Sequence, residues 1–406
     1  MRLTSKQIKD LMNQEGVSRI WSWSKWNCYN TSHFEYYLKY IRRIPEDRAT
    51  SIYATTGSIA HDILERLYTG QLTYNKMIND FNDGWLTAYN ISNLKFDRNN
   101  EEQDKKISDK YYLDLCHFFK NHTLINHNVT IEQFVKAKIK NNLFQGYVDL
   151  SYEDEDGCTH IIDFKTSSIY KGKKAEKECG QLVVYAIGMN QKGIPFNKIK
   201  IGWNFLKYCT IFYKQANGTV KSREVERCKI GESLQNNVKM WLKKLGYEEQ
   251  IDYYLMQMLD TNGIDCLPDD VKSLYTILDC IVYVPITEKL INSWTNKICN
   301  QISDIVAREE DYRNMKKRNV DEDTCCKVFW DSDDSVKEQS YYFSTLCGYS
   351  PALHKPYGAY LDRMNLTNTS DLFNNVGNEV EKFNKALSSN SNTLTNDIDL
   401  SWLNDI

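Results

Sequence analysis

The stretch QGYVDLSYEDEDGCTHIIDFKT, residues 145–166, decides how the chain is read. Two runs of strand formers, QGYVDLSY and THIIDFKT, flank an acidic turn whose Asp156-Gly157 pair suits a hairpin. On the second run Asp163 and Lys165 are two apart, and the strand period of two puts both side chains on one face. A carboxylate so placed can hold a hard divalent cation, while the neighbouring ammonium positions an attacking water and offsets charge growing on a phosphate. Asp149 on the first run converges on the same point if the two strands pair, and two carboxylates then face one metal. The spacing alone is weak, since Asp104-Lys105-Lys106 and Asp270-Val271-Lys272 repeat it without a partner carboxylate on a predicted strand. Ile161, Ile162 and Phe164 mark the strand as buried, however, and a buried charge without a purpose is costly, so a plain surface ion pair is the weaker explanation.

Upstream, TTGSIAHDILERLYTG reads as a capped helix, with Thr56 or Ser58 near its start and Gly70 past its end. His61 and Glu65 are four apart and share a face, where His61 is a candidate ligand for the same cation and Glu65 a supporting carboxylate. A lone helical His is usually just a satisfied core or surface residue, so its weight comes from the company it keeps. Downstream, a helix is predicted over about 175–192, ended by Gly193 before Pro195. Its Gln181 and Tyr185 are four apart on one face, within reach of Lys165 or a DNA phosphate.

Farther out, residues 1–20 form an amphipathic segment, and the stretch from Trp21 to Tyr40 is dense in aromatics, with FEYYLKYI reading as a helix or buried connection. Segments 72–95 and 103–125 have helical spacing and read as a helical insertion at about 72–125 within a core spanning 21–228. A strand, KIKIGWNFLKY, and a second hairpin turning at Asn217-Gly218 complete that core. Residues 229–364 read as mostly helical, and 365–406 as an Asn- and Ser-rich tail too polar to offset the cost of ordering. The tail ends in NDIDLSWLNDI, where Asp397, Asp399 and Asp405 alternate with apolar residues; segment 396–406 is a candidate docking peptide for a protein partner, or else folds back on the chain's own surface.

The 406 residues are enough for two or three domains, and the net charge of −3 leaves any DNA contact to local basic patches. Lys171, Lys173, Lys174 and Lys177 form one candidate DNA-binding patch; Lys136, Lys138 and Lys140, and Arg313, Lys316, Lys317 and Arg318, form others. With no membrane-length apolar run and no signal peptide, the protein is expected to be intracellular and cytoplasmic, and its twelve cysteines to be reduced thiols. A composition rich in Asn, Lys and Tyr suits an AT-rich genome, such as a viral one.

The ordered set Gly57-x3-His61-x3-Glu65, Gly146-x2-Asp149, Asp163-Phe164-Lys165-Thr166 and Gln181-x3-Tyr185 resembles the RecB-like exonuclease branch of the PD-(D/E)XK nuclease superfamily over about residues 22–210, with SKWNCYNTSHFEYYLKYI similar to that branch's opening segment. The resemblance implies a mixed α/β fold, a restriction-endonuclease-like core sheet flanked by helices. It also implies Mg²⁺ or Mn²⁺ held by His61, Asp149, Asp163 and the Phe164 carbonyl, with Lys165 assisting the water and Gln181 and Tyr185 completing a site that hydrolyses DNA. In members with an iron–sulfur cluster an opening cysteine joins three late ones. Here Ser32 stands at the opening position, with Cys28 four residues earlier, and the late cysteines Cys325, Cys326 and Cys347 lack a Cys-x2-Cys pair. The spacing therefore argues against an iron–sulfur cluster, and against zinc on Cys325 or Cys326, Cys347 and His354.

The expected activity is a metal-dependent deoxyribonuclease, an exonuclease or end-processing enzyme of recombination, repair or replication. A structure-specific endonuclease would use the same cluster, and a non-catalytic DNA-binding module in a larger assembly is the alternative from another class. No phosphate loop of the G-x4-GK-[ST] type occurs, so unwinding would fall to a partner.

Overall fold

The computed structural model describes residues 3–365 apart from Thr50, Arg98 and Asn99. The predicted tail beyond 365 and the candidate docking peptide 396–406 lie outside the described residues. Among the described residues seven strands make one mixed sheet: β1 (Ile20–Ser22), β2 (Thr130–Ile139), β3 (Asn142–Glu153), β4 (Thr159–Lys165), β5 (Ile199–Lys214), β6 (Val220–Glu226) and β7 (Tyr275–Val284). The two predicted hairpins form, β3–β4 turning through Gly157 at φ +69° and β5–β6 through Gly218 at φ +85°.

Long strands organise the sheet by sharing their edges. β3 pairs with β2 along one edge, from Asn142 to Ser151. On its other edge it meets β1 in parallel over Leu143–Gln145 and β4 antiparallel over Leu150–Glu153, which leaves the stretch between Gln145 and Leu150 open there. β5 likewise carries β4, in parallel, and then β6 on one edge and β7 on the other.

The longer helices are α1 (Ser5–Glu15), α2 (Trp23–Thr31), α3 (Ile52–Tyr68), α4 (Met77–Trp85), α5 (Glu101–Asn121), α6 (Lys173–Glu178), α7 (Gly180–Gln191), α8 (Ile230–Lys244), α9 (Ile251–Thr261), α10 (Glu288–Lys317) and α11 (Lys355–Arg363). They cover both faces of the sheet. On one, α7 and α10 pack with α2 over Val135, Ile161 and Ile201; on the other, α3, α4 and α5 cover Leu150, Ile162, Phe164 and Leu206. A third apolar cluster sets α8 and α9 against Cys209 and Ile211 of distal β5. The β4–α7–β5 crossover joins two parallel strands, and α7, buried from Leu182 to Met189, packs back onto the sheet between them.

Three expectations need correction. The region 229–364, expected to be mostly helical, also holds a strand: YTILDCIVYV forms β7 and joins the same sheet as the predicted core, which therefore extends past 228. Its pattern misleads because the inward-facing Asp279 is polar, buried where it meets the Arg227 guanidinium at 2.5 Å and His122 Nδ1 at 2.5 Å. The helix predicted at 175–192 is two helices broken at Cys179, where Gly180 is squeezed between Trp23 and Trp294 so closely that a Cβ would lie 2.3 Å from one ring and 2.5 Å from the other. The motif helix begins a turn earlier than Thr56, at Ile52 with Ser51 as its cap, and Thr55 and Thr56 hydrogen-bond back to the carbonyls of Ser51 and Ile52 as helix-interior residues.

Candidate active site

The site sits where β3 leaves β4. Pairing runs from Glu153↔Thr159 to Leu150↔Ile162 and stops one residue short of Asp149, whose register would place it opposite Asp163. The Phe164 N–H, which a continuing β3 backbone would have accepted, donates instead to Asp149 Oδ2 at 3.0 Å. Alternation along β4 turns Ile162 and Phe164 towards α3–α5 and Ile161 towards α7, so Asp163 and Lys165 point to the α7 side. Lys165 Nζ lies 2.7 Å from Asp163 Oδ2. From α3, His61 Nε2 is 3.0 Å from the Phe164 carbonyl oxygen and Nδ1 is 3.4 Å from Asp149 Oδ2. His61, Asp149, Asp163, the Phe164 carbonyl and Lys165 are thus brought together.

α7 supplies the remaining pair. Gln181 Nε2 donates to the Tyr185 hydroxyl at 3.0 Å, and the Tyr185 ring packs against β3 at Gly146. A Cβ on Gly146 would sit 2.4 Å from Tyr185 Cε1, so this glycine is what admits the tyrosine. Gly57 has no such duty, for a Cβ there would meet Thr166 Oγ1 at an ordinary 3.7 Å.

Burial, and then the neighbouring Asp163 charge, push the Asp149 carboxyl up to about 6. Burial alone would lower the Lys165 ammonium, but Asp163 together with Tyr170 and Asp149 outweighs it and holds the group above the ordinary lysine range. Tyr185 is raised by burial to about 12, against the stabilising Gln181 bond, and stays a neutral hydroxyl. A cavity of about 20 Å³, room for one water, is lined by His61, Glu65, Ile131, Glu132, Asp149 and Phe164. Glu65 therefore faces the same point as His61. Glu132 is the residue that the sequence reading missed, since nothing in TIEQFVKAKI distinguishes it from an ordinary strand-surface glutamate.

The basic patches divide. Lys171 pairs with Glu224 at 2.8 Å and Lys174 lies over the Tyr170 ring at 5.0 Å, while Lys173 and Lys177 are exposed on α6. Lys136 is 2.5 Å from Glu15 and Lys138 shares that carboxylate, so this patch is partly neutralised by α1. The late cysteines are buried and donate to nearby oxygens, Cys325 to Val320, Cys326 to Asp323 and Cys347 to Glu35. Ser32 caps a helical turn at Glu35 and bonds Asp331 and His354.

A family model of the PD-(D/E)XK nuclease superfamily matches residues 20–317, and the chain belongs to that superfamily. No curated protein matches it. The matched span runs through β7 and all of α10, in keeping with a sheet that continues past 228.

The donor set fits the divalent cation that such nucleases use. No three His, Cys, Asp or Glu side chains among the described residues are grouped tightly enough to enclose a metal ion, and the contacts at the fork give the reason: Lys165 takes Asp163, the Phe164 N–H takes Asp149, and the Phe164 carbonyl takes His61. Asp163 is only 4% exposed, and its Oδ2 is held by the Lys165 ammonium at 2.7 Å. A buried carboxylate and a partly buried one, the latter raised by desolvation and then by its neighbour, make with a carbonyl and an imidazole an oxygen-rich set suited to Mg²⁺ or Mn²⁺.

Proposed function

We propose that the protein is a divalent-metal-dependent deoxyribonuclease of the RecB-like branch, an exonuclease or end-processing enzyme that hydrolyses phosphodiester bonds. The observation that carries this reading is the fork itself, where Asp149, Asp163 and Lys165 converge beside His61. Asp149, Asp163, His61 and the Phe164 carbonyl would hold Mg²⁺ or Mn²⁺, which when bound supplies Lewis-acid polarisation of the scissile phosphate and of water. Lys165, kept charged by Asp163, orients the attacking water and offsets the negative charge that grows on the phosphate. Gln181 and Tyr185 donate to Lys165's surroundings or to a phosphate oxygen, and the exposed Lys173 and Lys177 lie on the helix just before them, where a DNA backbone would pass. No helix of the described residues is long and apolar enough to cross a membrane; an intracellular setting in recombination, repair or replication, with segment 396–406 recruiting a protein partner, belongs to the same proposal.

End-labelled linear, nicked and closed circular DNA, incubated with Mg²⁺, Mn²⁺ or a chelator, tests it. Degradation of linear DNA alone, abolished by chelation, supports the exonuclease. Cutting of circular or branched DNA replaces it with an endonuclease, and binding without metal-dependent cleavage of any substrate would leave only a binding module.

A further inference from the structure

The β2–β3 ladder keeps one register from Ile139↔Asn142 to Thr130↔Ser151 and lacks a single rung, the one at which Glu132 would face Asp149. Glu132 has φ +49°, a left-handed conformation that costs a side-chain-bearing residue about 1–2 kcal/mol. The pair of strands turns over at this rung. Val148 packs on the α7 side and Leu150, two residues on, packs on the α3–α5 side, although alternation would put both on one face. Ile131 and Val135 divide in the same way on β2. The rotation turns Asp149 into the fork and Glu132 into the cavity that it shares with His61, Glu65 and the Phe164 backbone.

A strained non-glycine residue in mid-strand persists only where its surroundings demand it, and glycine would relieve the strain at once. The side chain must therefore earn its place. We propose that Glu132 is a positioning residue of the nuclease site: the distorted rung holds its carboxylate at the cavity, where its charge strengthens the retention of the divalent cation by Asp149, Asp163 and His61. The inference rests on the nuclease reading above and adds a carboxylate that the motif pattern does not contain.

The test uses the full chain and measures Mn²⁺ affinity by isothermal titration calorimetry, beside the Mg²⁺ dependence of cleavage and the melting temperature without metal. Glu132→Gln, which preserves shape and backbone, is expected to weaken Mn²⁺ binding by about tenfold, the lower end for residues that support metal ligands, with an unchanged melting temperature. Glu132→Gly is expected to lose the same affinity while melting at the wild-type temperature or above it, and Glu132→Asp to recover part of the affinity. Wild-type Mn²⁺ affinity in Glu132→Gln, or a fall in melting temperature in Glu132→Gly with affinity kept, would overturn the proposal and make Glu132 a structural residue. Asp163→Asn separates the two levels: if it too leaves Mn²⁺ binding intact, the metal-site reading beneath the proposal is what fails.

Discussion

The main-chain N–H of Phe164 donates to Asp149 Oδ2 at 3.0 Å, so a side chain supplies the acceptor that β3 would have offered had it stayed paired with β4. One carboxylate thereby closes the sheet at the fork and, in the proposed site, would also hold the cation, and two substitutions separate these tasks. Asp149→Asn keeps an oxygen for the Phe164 N–H but loses the charge, so the Mn²⁺ concentration for half-maximal cleavage should rise while the melting temperature holds. Asp149→Ala orphans the buried N–H as well and should cost about 1–3 kcal/mol of stability in denaturant titration. His61→Ala should shift the metal titration in the same direction but less, since it removes no carboxylate; unchanged titrations for both Asp149→Asn and His61→Ala would remove them from the metal site.

Asp163→Ala and Lys165→Ala should each slow cleavage by at least about a hundredfold, the scale set by removing one preorganised electrostatic group from a transition state. DNA binding measured without metal should survive both. The two side chains make an ion pair at 2.7 Å, so the double variant should lose less than the product of the single effects. A Lys165→Ala rate within a few-fold of wild type in single-turnover assays would refute its assignment.

Much of this site was legible because its residues obey short-range rules. Asp163 and Lys165 share a face by the strand period, Asp149 reaches them through a hairpin that Asp156-Gly157 announces, and Gln181 and Tyr185 share a helix face. What escaped the sequence are the places where tertiary contacts override local pattern. β7 hides because Asp279 faces inward to meet Arg227 and His122, and Leu278 and Tyr283 face out, 39% and 41% exposed, so neither strand alternation nor a helical stripe stands out. Glu132 hides because a left-handed residue is foreseen from Gly or Asn, never from Glu. The break at Cys179 depends on Trp294, more than a hundred residues away.

Gly146 and Tyr185 form a pair whose coupling can be measured. Gly146→Ala puts a Cβ 2.4 Å from Tyr185 Cε1, so the ring must shift, at a cost of about 1–3 kcal/mol typical of overpacking. The Gln181–Tyr185 hydrogen bond at 3.0 Å should be disturbed with it, and cleavage should fall. In a Tyr185→Ala background the added methyl finds space, and the stability cost of Gly146→Ala should shrink by more than half. Equal costs in the two backgrounds would show that the glycine serves the backbone and not the tyrosine.

The last prediction concerns acid stability and the joint between the two ends of the described chain. His354 is wholly buried at the N-terminus of α11, where its Nδ1 accepts the Tyr357 N–H at 3.2 Å. The neutral ring therefore carries its proton on Nε2, which donates to Ser32 Oγ at 3.0 Å, and the Ser32 hydroxyl in turn donates to Asp331 Oδ2 at 2.5 Å. Asp331 in turn accepts the backbone N–H of His33 at 2.7 Å, so the chain of bonds ties the segment after α2 to α11. Burial lowers His354 to about 4, against the opposing pull of Asp331. The unfolded chain, with an ordinary histidine near 6.5, takes up this proton first, so the stability contributed by the neutral ring is complete above about pH 6.5 and is lost as pH falls towards 4, to a total of about 3 kcal/mol. Protonation at Nδ1 also breaks the cap on Tyr357, which should loosen α11 before the sheet. His354→Asn keeps an oxygen able to cap that N–H and cannot be protonated, so the drop in denaturation midpoint between pH 7 and pH 5 should be smaller in the variant than in wild type. An identical drop in both would mean that His354 is already protonated in the folded protein or that other groups govern its acid sensitivity.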